Sequence, residues 1–282
     1  MKHKKTLQIS IVVVAVLLVI WLIWGNITVG VTRYTLASNR LPNAFDHYKI
    51  VVVSDLHNAE FGEHNDVLVD LVKQEKPDMI ALTGDLVDSQ KTNMEIAQAL
   101  VQQLVTIAPC CYVTGNHEAW LGESYQALEK ILQEESVVVL HDAVIQLKKG
   151  GQAIQIAGLD DPDFTDRDSS IQQSMLETKL ERLNLGSEYC VLLSHRPEAF
   201  EAYVNQKVDL VLSGHAHGGQ FRVPFVGGMI APNQGFFPKY DAGMYTQDNT
   251  TMIVSRGVGN SIIPVRVNNR PEIVSIELIC AE

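Results

Sequence analysis

Residues 49–57 read KIVVVSDLH, a buried-strand pattern that runs directly into polar side chains able to bind a metal. A short run of β-branched residues is typical of a parallel strand covered on both faces. The same order recurs in residues 79–88 (MIALTGDLVD) and 111–118 (CYVTGNHE), with helical spacing over residues 65–75 and 93–107 between these strands. The alternation predicts an α/β fold in which the carboxyl ends of parallel strands meet at one edge.

Two later strand patterns also end in histidines. Residues 189–193 (YCVLL) run into Ser194 and His195, and residues 210–212 run into the sequence GHAHGGQ at 214–220. Ligands of open α/β sheets bind at the carboxyl ends of the strands, so these side chains are candidate site residues. Five of the nine histidines directly follow apolar strands, namely His57, His117, His195, His215 and His217. We interpret the other four as surface or structural groups: His3, His47, His64 and His141.

The strand-end residues combine imidazole, carboxylate and amide groups. Each motif alone is a weak signal, because Asp-x-His also occurs as a helix cap and Gly-Asp is a common turn. Their joint occurrence at five strand ends favours a site for borderline divalent ions, namely Mn, Fe, Co, Zn or Ni. The motifs contain no cysteine, which argues against a structural zinc site.

The ordered series of motifs resembles the calcineurin-like metallophosphoesterase family. The resemblance covers about residues 48–282, and three C-terminal stretches are similar to a membrane-anchored bacterial branch of that family: 214–220, 255–257 and 264–266. It implies a four-layer αββα sandwich, in which two mixed β-sheets pack face to face. The motifs that carry it are Asp55-x-His57, Gly84-Asp85-x-x-Asp88, Gly115-Asn116-His117-Glu118, His195 and Gly214-His215-x-His217.

The resemblance also implies roles for individual residues. One divalent ion would be held by Asp55, His57 and His217, the other by Asn116, His195 and His215, and Asp85 would bridge them. A hydroxide bridging the two ions would be the nucleophile. His117 would stabilise charge on the phosphoryl group or protonate the leaving oxygen. The substrate-binding residues stay unknown.

Physical chemistry is consistent with that ligand set. Two divalent ions about 3.5–4 Å apart lower the pKa of a shared water, neutralise phosphoryl oxygens and hold the reacting atoms in line. An asparagine ligand adds no charge, so the site stays positive for an anionic substrate. For Asp88 and Glu118 we expect hydrogen bonding around the ligands or helix capping. For Arg196, a surface ion pair and a phosphate contact both stay open.

The N-terminal segment predicts a membrane anchor. Leu7 to Trp24 are eighteen residues without charge or proline, and at about 1.5 Å per residue they span roughly the hydrocarbon thickness of a bilayer. Lysines before this run indicate a cytoplasmic N-terminus. We expect a single-pass protein of the cell membrane with an extracytoplasmic catalytic domain; a cleaved signal peptide and a cytoplasmic domain are the alternatives. The predicted organisation is a cytoplasmic basic N-terminus (1–6), a transmembrane signal anchor (7–25), a strand-prone linker (26–46) and a calcineurin-like phosphoesterase domain (47–282).

Composition limits the classes of partner. The 282 residues include 22 Lys plus Arg and 33 Asp plus Glu, so the formal net charge of −11 argues against a nucleic-acid-coating protein. Hydrophobic residues make up 46%, which excludes a disordered chain and supplies a core. The four cysteines form no CxxC pair, and we interpret them as buried free thiols.

Three functions are compatible with the sequence. The leading one is hydrolysis of phosphodiester or phosphomonoester bonds, with an envelope polymer or a lipid-linked compound as substrate. The second is a pyrophosphatase acting on a lipid-linked nucleotide-sugar, and the third is a non-catalytic, metal-dependent binding module. Four phenylalanines follow the last metal motif, and core packing is favoured for them over an apolar lip for a lipid or base: Phe221, Phe225, Phe236 and Phe237.

Overall fold

Short buried strands precede each polar motif in the computed structural model, which describes residues 2–281. The α-helices in that range are α1 (Lys2–Ile27), α2 (Asp66–Glu75), α3 (Met94–Leu104), α4 (Asn116–Trp120), α5 (Tyr125–Glu134), α6 (Ser169–Leu183) and α7 (Phe200–Asn205). The first eight strands are β1 (Gly30–Ser38), β2 (Tyr48–Val53), β3 (Met79–Leu82), β4 (Cys110–Tyr112), β5 (Val138–Val139), β6 (Ala143–Lys149), β7 (Gln152–Gly158) and β8 (Cys190–Leu193). The others are β9 (Leu210–Ser213), β10 (Arg222–Val223), β11 (Gly227–Gly228), β12 (Ile230–Ala231), β13 (Gly235–Phe236), β14 (Gly243–Gln247), β15 (Thr250–Val254) and β16 (Glu272–Cys280).

Two mixed sheets of six strands each organise the described residues. The first has the order β1-β16-β2-β3-β4-β5, in which β2 to β5 run parallel and β16 is antiparallel to β2. The second has the order β14-β15-β9-β8-β7-β6, with parallel central strands and antiparallel strands at both edges. The parallel strands therefore bring their carboxyl ends, and the motifs that follow them, to a common edge.

Alternate residues of β2 are buried on opposite sides of the first sheet. Ile50 and Val52 belong to the core between the two sheets, whereas Val51 and Val53 belong to the core beneath the helices. Because successive side chains of a strand point to opposite faces, a strand buried on both faces must be apolar throughout. This explains the uninterrupted IVVV run.

Helices cover the outer face of each sheet. On the first sheet, Leu68 and Val72 of α2 and Leu100 and Leu104 of α3 are buried at helical i, i+4 spacing. On the second sheet, α6 and α7 contribute a separate core cluster. The layers are helix, sheet, sheet, helix, so the predicted four-layer αββα fold is confirmed.

The predicted linker, residues 26–46, contains a strand of the first sheet. β1 pairs in parallel with β16 over nine residues, from Gly30 opposite Glu272 to Ser38 opposite Cys280. The strand-prone linker therefore contributes a strand at residues 30–38, and the sheet begins before residue 47. Isolated apolar residues among polar ones are the pattern of an edge strand with one exposed face, and the burial of β1 shows it.

The first helix is long and apolar enough to span a membrane. Among residues 2–281, His3–Ile27 is the one candidate span, and the predicted segment 7–25 lies within it. Its large apolar side chains are exposed to the surroundings, as a lipid-facing helix requires. At its end, Asn26 exchanges two hydrogen bonds with the backbone of Arg266 (2.9 and 2.8 Å).

Candidate metal centre

Five of the seven predicted metal ligands have a left-handed backbone, with φ between 46° and 67°. This conformation costs a non-glycine residue roughly 1–2 kcal/mol. Such strain is typical of functional sites, where the surrounding structure imposes it. The five residues are Asp55, His57, Asp85, His215 and His217.

The Gly84-Asp85 motif requires glycine. Gly84 has φ = +92°, and a Cβ there would lie 2.7 Å from Gly115 N and 2.8 Å from His195 Nδ1. The loops after β3, β4 and β8 therefore meet at Gly84 with no space for a side chain. This close approach places Asp85 in the centre of the site.

One group of ligand atoms gathers Asp55, His57, Asp85 and His217. The Nε2 atoms of His57 and His217 lie 3.1 Å apart. Asp55 Oδ1 lies 3.5 Å from His217 Nε2, and Asp85 Oδ2 lies 3.5 Å from His57 Nε2. All four residues are at most 6% exposed, so these atoms converge in a site shielded from water.

A second group joins Asp85 with His195 and His215. His195 Nε2 lies 3.2 Å from Asp85 Oδ2 and 3.2 Å from His215 Nδ1. His195 Nδ1 donates to the carbonyl oxygen of Thr83 at 2.7 Å, which leaves the lone pair of Nε2 facing the group. Asp85 Oδ2 is therefore shared by both groups.

Asn116, the first residue of α4, has an unsatisfied side-chain oxygen. Its Oδ1 is buried and has no hydrogen-bond partner among residues 2–281. The next residue, His117, donates its backbone N–H to Asp85 Oδ1 at 2.8 Å, which ties this loop to the shared carboxylate. A buried acceptor without a partner is costly unless a cation or water satisfies it. Nitrogen and oxygen ligands with an orphaned amide oxygen fit divalent metal ions.

Burial keeps most of the imidazoles neutral. It lowers the pKa of His57 and His215 far below the usual value and that of His217 to about 4. Burial also lowers the pKa of His195, but the charges of Asp85, Asp55 and Asp161 and the hydrogen bond to Asp85 together raise it to about 10. A metal ligand must be unprotonated, so an ion at the second group displaces a proton from His195.

Glu118 fixes the loops that carry the ligands. Its carboxylate accepts hydrogen bonds from the backbone N–H groups of Asp85, Leu86 and Gly115 at 2.7–2.8 Å. The side chain is fully buried, and burial together with Asp85 raises its pKa to about 8. The expectation that Glu118 hydrogen-bonds around the ligands is met. Asp88 caps a turn by accepting from the backbone N–H groups of residues 90 and 91.

Comparison with known proteins identifies the family. Residues 48–219 match the family described as Calcineurin-like phosphoesterase, which is more than half of the chain. The chain belongs to the calcineurin-like phosphoesterase family. The predicted resemblance is therefore confirmed, and the protein is a metallophosphoesterase, a hydrolase acting on phosphoric esters.

Similar proteins occur in bacteria and animals. The uncharacterized metallophosphoesterase YkuE of Bacillus subtilis is 32% identical over 255 residues, covering 88% of this chain and 84% of YkuE. Phosphodiesterase YaeI of Escherichia coli is 29% identical over 236 residues, covering 82% of each chain. The transmembrane protein with metallophosphoesterase domain of Bos taurus is 30% identical and covers 97% of this chain, which spans 62% of that protein.

His117 of this phosphoesterase lies at the rim of the metal groups. Its ring contacts His57 edge-on at 4.5 Å between centroids and packs against Trp120. Nδ1 accepts the backbone N–H of Ser89 at 3.1 Å, so in the neutral ring Nε2 carries the proton. That Nε2–H points to Ser261 Oγ at 3.0 Å.

Arg196 contradicts the expectation of a surface ion pair. It is 2% exposed, so it forms no surface ion pair, and its guanidinium binds Asp161 through two hydrogen bonds of 2.6 and 2.8 Å. Asp163 adds a further ion pair at 2.9 Å. Arg196 Nη1 lies 3.2 Å from His215 Nε2, so this ion-pair network supports a predicted metal ligand from behind. The available sequence signal for these partners of Arg196 was the acidic stretch DDPD at 160–163, but this pattern is equally typical of a surface turn.

Arg266 contacts another predicted ligand, His217, although its local sequence pattern indicates no role for it. Its Nη2 lies 3.3 Å from His217 Nδ1 and donates to the carbonyl oxygen of Gly259 at 2.5 Å. Burial lowers the pKa of Arg266 to about 10. The motif at 264–266 was the available signal, but nothing in its local pattern predicts contact with a residue 49 positions earlier.

The favoured core packing of the phenylalanines is wrong for three of the four. Phe225 is fully exposed, and Phe236 and Phe237 are 73% and 62% exposed. Phe221 is partly buried. The segment 221–238 forms short hairpins on the surface rather than a layer of the core.

Replacing Glu118 by glutamine tests the support of the ligand loops. An amide nitrogen in place of one oxygen turns an acceptor into a donor that faces backbone N–H groups, so Asp85 is displaced. We expect the affinity for Mn²⁺ to fall by about 10- to 100-fold in titration calorimetry. The exposed neighbour substitution Glu123→Gln is the matched control. Unchanged affinity in Glu118→Gln would contradict the supporting role.

The acidic turn that holds Arg196 also predicts a pH dependence of stability. His141 Nδ1–H donates a hydrogen bond to the Asp160 carboxylate, which raises the pKa of His141 to about 9 in the folded protein, against an ordinary value of about 6.5. The stabilisation is therefore complete below about pH 6.5 and is lost as the pH rises through 9. In chemical denaturation, the destabilisation caused by His141→Gln should be largest at pH 6 and shrink towards pH 10. A pH-independent difference would refute this prediction.

Proposed function

We propose that this protein hydrolyses a phosphodiester or phosphomonoester at two divalent ions. One ion is held by Asp55, His57 and His217, the other by Asn116, His195 and His215, and Asp85 bridges them. The observation that carries the proposal is the position of Asp85 Oδ2, which lies within 3.2–3.5 Å of ligand atoms from both groups. Complete ligand groups beside His117 support a catalyst over a metal-dependent binding module.

Bound divalent ions supply Lewis acidity: they activate a water molecule and neutralise the phosphoryl oxygens. The protein's own contribution is a rigid, dry ligand set, since the ligand residues are at most 6% exposed. Preorganised ligands and donors need no rearrangement as charge develops in the transition state.

His117 acts as a hydrogen-bond donor to the phosphoryl oxygens in this proposal. Ser89 N–H occupies Nδ1, so the neutral ring has one proton, on Nε2. Full transfer of that proton would leave an imidazolate, which is unfavourable at neutral pH. Of the two roles implied by the family resemblance, charge stabilisation is therefore the one that the contacts favour.

We further propose that α1 anchors the protein in the cell membrane with the catalytic domain on the extracytoplasmic side. Support comes from the length and apolar character of His3–Ile27 and from the lysines that precede its apolar part. An envelope polymer or a lipid-linked phosphoester is then within reach of the site. Manganese is the ion we propose for reconstitution, because the mixed nitrogen and oxygen ligands accept it.

Substitutions at Asp85 and His117 separate metal binding from catalysis. With the Mn²⁺-loaded full chain and bis-p-nitrophenyl phosphate, Asp85→Asn should abolish turnover, because both metal groups lose a charged ligand. His117→Ala should lower kcat by about 10²- to 10³-fold with both ions retained, as loss of one transition-state donor does. His117→Gln, which keeps an N–H donor, should recover part of the rate.

The exposed substitution His64→Ala serves as the control and should match the wild type. Loss of metal from His117→Ala, measured by elemental analysis, would contradict its assignment as a donor rather than a ligand. Wild-type protein that binds two ions and cleaves neither the diester nor p-nitrophenyl phosphate would contradict the proposed function.

The orientation of the anchor is tested with reporter fusions. Alkaline phosphatase fused after residue 281 should be active and a fluorescent protein fused there should be dark, because the C-terminus is expected outside. Replacing Lys2, Lys4 and Lys5 by serine should reduce this asymmetry by weakening the positive-inside signal. The reverse reporter pattern in the unmodified chain would refute an extracytoplasmic domain.

A further inference from the structure

An apolar pocket of about 390 Å³ adjoins the candidate metal centre. It lies between the β12–β13 turn and residues 261–263. Its lining includes His217 of the metal groups and Ser261, whose Oγ contacts His117 Nε2 at 3.0 Å. A volume of this size is within the range of small-molecule sites. The pocket therefore begins where the phosphoryl group is proposed to lie.

Hydrocarbon side chains form most of the pocket. Ile230 and Pro232 line one side, and Ile262 and Ile263 line the other. The polar residue Gln220 has its amide nitrogen engaged, because Nε2 donates to the carbonyl oxygens of residues 263 and 265 at 2.8 and 2.7 Å. These two bonds hold the 261–265 segment against the turn that follows the metal motif.

The other polar lining residues are likewise engaged. Asn233 Nδ2 donates to Gln172 Oε1 at 2.7 Å, and Ser261 is bonded to His117. A sugar or a nucleobase has several polar groups that need partners when they leave water, whereas a hydrocarbon chain has none. The pocket chemistry therefore favours a hydrocarbon occupant.

Exposed apolar residues continue the pocket outward. Ile262 is 75% exposed at its mouth. Phe236 pairs with the pocket residue Ile230 across the β12–β13 hairpin and is 73% exposed. Contiguous exposed apolar surface of this kind marks a binding or membrane-contacting region.

The end of α1 lies close to the same site. Asn26 bonds the backbone of Arg266, and Arg266 Nη2 lies 3.3 Å from His217 Nδ1. A single residue, Arg266, therefore connects the end of α1 to a predicted metal ligand. With α1 in a bilayer, the pocket lies near the membrane surface, where amphiphiles are concentrated.

We propose that this pocket binds the hydrocarbon chain of an amphiphilic phosphoester while its phosphate lies at the metal centre. The inference rests on the proposed phosphoesterase function and adds the class of substrate. Ile262 and Ile263 bind the chain, and His217 and Ser261 lie at its junction with the phosphate. Selectivity for lipid-like esters follows from burial of methylene groups rather than from polar recognition.

A homologous series of substrates tests the pocket. The Mn²⁺-loaded full chain is assayed on methyl, butyl and octyl p-nitrophenyl phosphate, which share the scissile bond and the leaving group. We expect kcat/KM to rise roughly tenfold or more from methyl to butyl, as burial of three further methylene groups provides. Ile263→Asn should reduce the butyl-to-methyl ratio severalfold. Ile262→Asn should reduce this ratio as well, and because Ile262 is more exposed, the fold tolerates its substitution better.

Phe225→Asn is the matched control, because Phe225 is fully exposed on the segment 221–238, which contributes Ile230 and Pro232 to the pocket, and is not itself part of the pocket. It should keep the wild-type ratio in the same detergent. Turnover of the methyl ester without any gain from a longer chain overturns the pocket proposal alone. A wild-type ratio in both isoleucine variants also overturns it. No turnover of any ester by protein that binds two ions overturns the proposed function itself.

Discussion

The carboxylate of Glu118 is the contact on which the metal centre depends. It accepts the backbone N–H groups at the ends of two parallel strands and so holds Asp85 between both ligand groups. Without an acceptor these donors would be buried and unsatisfied, at a cost of about 1–3 kcal/mol each. The left-handed backbone of the ligand residues adds strain that only such fixed bonds can sustain. Rigidity around Asp85 is therefore built into the fold before any ion binds.

Support for the ligands comes from distant parts of the chain. Arg196 and its acidic partners lie behind His215, and Arg266 lies behind His217. The segment containing Gly259 also reaches back to the first strand end, where its N–H bonds the carbonyl oxygen of Asp55 at 2.7 Å. The first sheet, the second sheet and the C-terminal segment thus all contribute contacts to one site. A perturbation in any of them reaches the predicted metal ligands through one or two hydrogen bonds.

The sequence predicts an element correctly where its local residue pattern is typical of only one structure. The IVVV run of β2 and the strand-end histidines are of this kind, because full burial and strand termini leave direct marks on residue type. The place of β1 in the first sheet escapes prediction, although residues 26–46 are strand-prone, because its partner β16 lies more than 200 residues later in the chain. Arg196 and Phe236 escape for a different reason: the burial of a charge and the exposure of an aromatic depend on tertiary neighbours that no local window contains.

The position of β16 has a consequence for biosynthesis. This strand lies between β1 and β2, yet it follows both of them by more than 200 residues in the chain. During synthesis, β2 keeps an open hydrogen-bonding edge and β1 has no neighbour until Glu272–Cys280 arrive. Unpaired edges invite pairing with other chains. The first sheet therefore closes only after the last strand has been synthesised. Until then the emerging chain must be kept from aggregating.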